Sequence, residues 1–221
     1  MTDGATGDGM APAAGRRPPR RPPLDLPDPP LTEPTAGIAL RPWRPTPGDV
    51  GALAAAWADP EIAARTAVPD DRSTAAAERW IRGEPARRAA GLCLDLVVGP
   101  LAAPGVSARR PAAGRADLVQ AAEAWRAGGA VLGEVGLRNV EARPRRAEIG
   151  WWIAAAHRGR GLAVAATRLL ADWALSRGGG LDQVWARMDP DNPASARVAK
   201  GAGFVLMGTA GGADVWSRAR G

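Results

Sequence analysis

His157-Arg158-Gly159-Arg160-Gly161-Leu162-Ala163 separates two segments of different periodicity. Before it, Glu148, Gly150, Trp152 and Ala154 alternate with Ile149, Trp151 and Ile153, which predicts a strand over 147–156. After it, Leu162, Ala166, Leu169, Leu170 and Trp173 recur at helical spacing, which predicts an amphipathic helix over 162–177. Arg168 and Asp172 form an i,i+4 pair on its outer side, and Gly178–Gly180 end it. A short glycine-bearing loop from strand to helix aims backbone N–H groups and the positive end of the helix at one spot. That suits a phosphate or pyrophosphate.

Working outward toward the C-terminus, Gln183–Met188 reads as a strand. Asp191-Asn192-Pro193 is a helix start, with Asn192 as the cap and Pro193 in the first turn, and that helix runs to about Ala202. Phe204–Gly208 and Asp214–Arg218 read as a closing hairpin.

In the other direction, 130–139 alternates as a strand, with Glu134 on the face of Leu132 and Gly136. It pairs with the strand before the loop through a turn at Glu141–Pro144. Residues 99–129, rich in Pro and Gly, read as an irregular insertion, and 92–98 as a strand. A helix is predicted over 73–88, with Trp80 and Ile81 as its apolar anchors. Thr46-Pro47-Gly48-Asp49 resembles a capping box opening a helix through Val50, Leu53, Ala54 and Trp57. Gly37–Trp43 is the first strand. Residues 1–35, dense in Pro, Gly and Ala, read as a disordered tail before a single domain over 36–221. The order β-α-α-β-β-β-α-β-α-β-β, with the insertion after the second strand, describes a mixed α/β (α+β) fold around one central sheet.

Composition narrows the function. With no Tyr and one Phe, the aromatic content of the core falls on nine Trp. One Cys and one His offer neither an internal disulfide nor a metal site, so the expectations are a reducing compartment and no metal. No apolar run of signal-peptide or membrane-spanning length occurs, so the protein is expected to be soluble and cytoplasmic, without a membrane partner. The net charge is +6, yet residues 1–35 carry four Arg against five acids, so the positive excess belongs to the folded part. No basic run interleaved with aromatics accompanies it, which argues against nucleic acid. In a chain this rich in Arg, Gly and Ala, a pattern Arg-x-x-Gly-x-Gly/Ala arises about once by chance. Its position between strand and helix, with a partner segment about thirty residues on, is what gives it weight.

Three segments together carry a resemblance. Arg145-Arg146-Ala147-Glu148-Ile149-Gly150-Trp151-Trp152-Ile153, then Arg158-x-x-Gly161-x-Ala163, then Asn192-x-x-Ser195-x-Arg197-Val198 with Gly203-Phe204, are similar to the GNAT superfamily of acyl-CoA-dependent N-acetyltransferases, and within it to the RimJ/RimL-like branch. The resemblance spans roughly Ile38 to Trp216. It implies a GNAT-like central twisted mixed sheet with flanking helices. Acetyl-CoA is then the co-substrate, its pyrophosphate held by the backbone of Arg158, Gly159, Arg160, Gly161, Leu162 and Ala163. Its pantetheine arm pairs with the backbone of Trp152, Ile153 and Ala154, as an added strand does. Asn192 and Ser195 lie near the pantetheine and the thioester sulfur, although Asn192 as a plain helix cap remains an equal reading.

The implied chemistry is direct attack of an amine on the thioester, with a carboxylate taking a proton. Glu148 is the first candidate base and Glu134 the second. Many GNAT enzymes place a tyrosine seven residues after the asparagine to protonate the departing thiolate. That position is Ala199, leaving Ser195 as the hydroxyl. The acceptor is a protein N-terminal amine or a small-molecule amine, and the protein a monomer or homodimer. A catalytically weak acyl-CoA-binding sensor of the same fold is the alternative, motivated by the missing tyrosine.

Overall fold

The computed structural model describes residues 23–28, 30–101 and 130–221. The tail before Pro23 and the core of the expected insertion therefore lie outside the described residues. Strands β1 (Thr32–Glu33), β2 (Ile38–Pro42), β3 (Cys93–Pro100), β4 (Gly133–Ala142), β5 (Arg145–Ile153), β6 (Gln183–Met188), β7 (Val205–Ala210) and β8 (Ala213–Ala219) form one eight-stranded sheet. Its order is β1-β2-β3-β4-β5-β6-β8-β7, antiparallel throughout except for the parallel pair β5–β6.

Alternation along the strands makes two cores. Leu94, Leu96, Leu137 and Ile149 point to one face, where α4 (Leu162–Leu175) lays Leu162, Ala166 and Leu170 over them and α5 (Pro193–Gly201) adds Ala199. Val97 points to the other face, beneath α1 (Pro47–Ala58) and α3 (Thr74–Ala89), among Trp43, Leu53, Trp57 and Ile81. Each fully buried leucine here is worth about 2–5 kcal/mol against alanine. Three indole pairs tie the second core: Trp43–Trp80 and Trp57–Trp80 edge to face, and Trp43–Trp152 tilted, with centroids 6.3–6.4 Å apart.

Several expectations change. The folded part begins before residue 36: Leu24 is buried in the α4-side core, its N–H donates to Arg88 O, and Thr32–Glu33 pairs with β2. A leucine among prolines needs only one pocket, and a two-residue edge strand needs no periodicity. β3 continues through Gly99 and Pro100, paired to Ala39 and Ile38, so the departure from the sheet comes later than residue 99. A short helix, α2 (Pro60–Arg65), follows α1 and was not expected; Asp59 caps it and Pro60 opens it. The expected Arg168–Asp172 pair is not made. Arg168 donates to Gly201 O and Asp172 accepts from Arg218, because both side chains find partners on neighbouring elements.

The capping box is half formed. Thr46 Oγ1 accepts from Asp49 N at 3.3 Å, as expected. The Asp49 carboxylate, however, turns to the buried Arg41 guanidinium in a two-bond contact of 2.6 and 2.7 Å, tying β2 to α1.

Candidate active site

The site arises where two central strands part. β5 and β6 pair only over Arg146–Glu148 and Gln183–Trp185. Beyond that point each keeps its other neighbour, β4 or β8, and a gap opens between them. Ala154 N donates to Leu132 O at 3.0 Å, which fixes Gly133–Ile153 as a non-hydrogen-bonded pair. Even-numbered residues of β5 therefore turn their backbone groups to β4, and odd-numbered residues turn theirs to the gap. Of the three residues expected to receive a pantetheine arm, Trp152 and Ala154 face β4. Trp151 and Ile153 face the gap, and Arg158 Nε already bonds the Ile153 carbonyl at 2.9 Å.

Past the end of β5, a single 3₁₀ turn (Ala155–His157) leads into the loop that opens α4. Gly159 and Gly161 both have φ of +75°, a left-handed backbone that glycine adopts without strain. A Cβ at either would meet nothing within 4 Å, so the backbone conformation, and not crowding by protein atoms, requires glycine. Gly161 caps α4, and no side chain bonds to the helix start. Leu162, Ala163 and Val164, the first-turn residues, line a cavity of about 550 Å³ together with Gly161, Asn192 and Ser195. A helix start without a side-chain cap on a cavity wall suits an anion, so these residues fit a CoA pyrophosphate.

A second cavity, of about 350 Å³, lies on the other side of the gap. Trp151, Trp152, Ile62, Arg65, Asn192 and Ser195 line both. Asn192 acts as the cap expected of it, its Oδ1 accepting from Ser195 N at 3.0 Å. Its position at the junction of the cavities leaves the second expected role compatible with the first. Ala199, at the position where the resemblance implies a tyrosine, is fully buried in the core.

Four carboxylates line this second cavity: Asp189 at an exposed position, and Glu148, Glu134 and Asp95 on the sheet. Glu148 is buried, with Oε1 accepting from Arg138 at 3.1 Å and Oε2 from Asn139 Nδ2 at 2.7 Å. Glu134 is half-buried, and the Trp43 indole N–H donates to its Oε2 at 2.8 Å. Burial, then repulsion from Asp95, push the Glu134 carboxyl up to about 8, against the pull of the Trp43 and Trp152 indoles. Asp95 itself is raised, chiefly by burial, and the nearest Arg87 nitrogen is 3.9 Å away. Gly136 makes room for it: a Cβ there would lie 2.8 Å from Asp95 Oδ1. Next to Asp95, burial raises the Cys93 thiol to about 12, so it is an inert thiol and not a nucleophile.

α2 spans the gap, and sequence reasoning missed it. At its N-terminal end Arg158 bonds Asp59 at 2.7 Å and Glu61 at 2.5 Å; at its C-terminal end Arg65 bonds Asp189 at 2.9 Å and Asp191 at 2.7 Å. One end is thus held to the segment after β5 and the other to the segment after β6. Ile62, buried between them, lines both cavities. Asp95 was missed too, although its place opposite the leucines of β3 was a usable signal.

Residues 38–205 match the acetyltransferase (GNAT) domain family. No curated protein matches the sequence. Among solved structures, the fold is shared with Mycobacterium smegmatis RimJ in complex with CoA-disulfide, at 20% identity and a TM-score of 0.63 over 86% of this chain and 85% of that one. It is shared with ribosomal-protein-S5-alanine acetyltransferase from Vibrio fischeri (16% identity, TM-score 0.62, 83% and 93% covered). It is shared also with spermidine N-acetyltransferase from Vibrio cholerae in complex with CoA and spermine (16%, 0.60, 84% and 96%). The sequence match runs from β2 through the parted strands into β7 and takes in the lining of both cavities except Ala213, so the chain belongs to the GNAT acetyltransferase family and is an acyltransferase.

Proposed function

We propose that the protein, in the RimJ/RimL-like branch of its family, moves an acetyl group from acetyl-CoA to a primary amine in the cytoplasm. One observation carries this: the two cavities meet where β5 leaves β6, one walled by the start of α4 and the other by carboxylates. The loop 158–163 holds the pyrophosphate, and the free backbone groups of Trp151 take the pantetheine arm across the gap. The Ile153 N–H polarises the thioester carbonyl.

The amine arrives as an ammonium ion. Glu134 takes its proton, directly or through water, and the amine then attacks the carbonyl; as the C–S bond breaks, the extra proton on the new amide nitrogen passes, through Ser195 or water, to the departing CoA thiolate. Glu134 moves ahead of Glu148 in this role because its raised pKa, and so its greater basicity, suits a base working near neutral pH. Glu148, tied to Arg138 and Asn139, holds the charge balance of the floor. Ser195, at the junction of the cavities, is the hydroxyl beside the departing sulfur.

Thiol release from acetyl-CoA, followed over a panel of amines and peptides, tests the reading. Turnover with any amine supports it. Binding of acetyl-CoA with no turnover across the panel supports instead an acyl-CoA sensor, the reading that the buried Ala199 favours.

A further inference from the structure

The acceptor cavity has a composition that chooses among amines, and the choice rests on the acetyltransferase reading above. Its sheet-side wall carries Asp95, Glu134 and Glu148. Of these, Glu148 is neutralised by Arg138 at 3.1 Å, whereas no cation lies within ion-pairing distance of Glu134 among the described residues. Asp95 Oδ2 has Arg87 as an ion-pair partner at 3.9 Å but is buried without a hydrogen-bond partner, so the carboxylate left without a cation is Glu134. This wall therefore has an unmet demand for one positive, hydrogen-bond-donating group. A primary ammonium meets it.

The elements covering the sheet supply something different. α1 contributes Leu53 and Trp57, α2 contributes Ile62, α3 contributes Trp80, and the segment after α2 contributes Val68. Charged groups return only at exposed positions, Arg65, Arg187 and Asp189. A peptide N-terminus would bring its first amide against those indoles and aliphatic chains, and each unpaired amide there costs about 1–3 kcal/mol. A polyamine would bring a second ammonium to the same wall, where the carboxylate of Asp189 is already bonded to Arg65 at 2.9 Å. An aromatic ring would bury apolar area against Trp57 and Trp80 and strand no polar group. The bridge from Arg65 to Asp189 and Asp191 also closes the line between α2 and the segment after β6, along which an extended chain would lie.

We infer that the acceptor is a compact primary monoamine with an aromatic or other apolar body, of the arylalkylamine type, and not a polyamine or a protein N-terminus.

The test uses the full chain with acetyl-CoA and three acceptor sets: phenethylamine and tryptamine, spermidine, and short peptides beginning with Ala or Ser. Expected is a kcat/KM for the arylalkylamines about tenfold or more above the other two sets. Preference for spermidine or peptides overturns the inference and leaves the acetyltransferase reading standing. Failure of acetyl-CoA to raise the melting temperature overturns both, and a raised melting temperature with no arylalkylamine turnover overturns this inference. Val68→Asp, which places a carboxylate in the apolar wall, should shift the ratio of spermidine to tryptamine kcat/KM upward by about fivefold or more. An unchanged ratio in a folded variant means that the wall does not select the acceptor body.

Discussion

Glu134 is where single-residue chemistry is most exposed to test. Its carboxyl, near 4.5 in an unfolded chain, is held at about 8 in the fold, so between those values the native state keeps a proton that the unfolded state has lost. Stability then falls as pH rises from about 4.5 to about 8 and levels off above that. Glu134→Gln should flatten this part of the melting-temperature profile and melt higher than the parent at pH 9. The same variant should lose about 10²–10⁴ in kcat, and with it the rise in kcat/KM toward pH 8 that is expected of the parent. Retention of both kcat and the pH limb would assign the base elsewhere. Gly161 offers a second test. A valine there must adopt φ of +75°, a backbone state costing a β-branched residue about 1–3 kcal/mol, so Gly161→Val should weaken CoA binding as read by calorimetry. Gly161→Ala, with the smaller penalty, should fall between the two. Equal CoA affinity for all three proteins would remove the loop from the pyrophosphate site.

At the level of elements, legibility followed length and periodicity. α4 and α5 were readable because a stripe and a cap mark each, and Asn192 caps α5 as its position before Pro193 predicts. α2 was not, since six residues with one buried side chain, Ile62, carry no period; only Asp59-Pro60-Glu61 announced it. The site suffered for this, because α2 supplies the bridge over the gap. Glu134, Glu148, Ser195 and Asn192 were placed by sequence on the elements that hold them, yet which backbone groups face the gap depends on hydrogen-bond phase, which alternation of side chains does not encode. Asp49 shows the same limit: its capping position was legible, its partner Arg41 on β2 was not. Asp49→Ala should cost about 3–5 kcal/mol in urea unfolding, since it removes the carboxylate of a buried two-bond ion pair that ties β2 to α1. A loss below about 1 kcal/mol would mean that the pair contributes little.

At the scale of the whole molecule, the sheet is continuous at its ends and broken near its middle, and the break is the site. Acetyl-CoA at a hundred times its dissociation constant should stabilise the protein by about 2.7 kcal/mol, a rise of roughly 5–10 °C in melting temperature for a chain of this size. Removal of everything before residue 36 should lower the melting temperature, since Leu24 would leave a hole in the α4-side core. No helix among the described residues is long and apolar enough to cross a membrane. The parting of β5 from β6 has one more consequence, in the time domain. A strand with partners on both sides shields its amide protons from solvent, whereas the Trp151 and Ile153 amides look into an open seam. In deuterated water they should exchange far ahead of Ile149 in the free protein, and slow by orders of magnitude once an acyl carrier fills the seam and completes the sheet. The ligand would then be recorded as a missing strand, added and removed with each turnover.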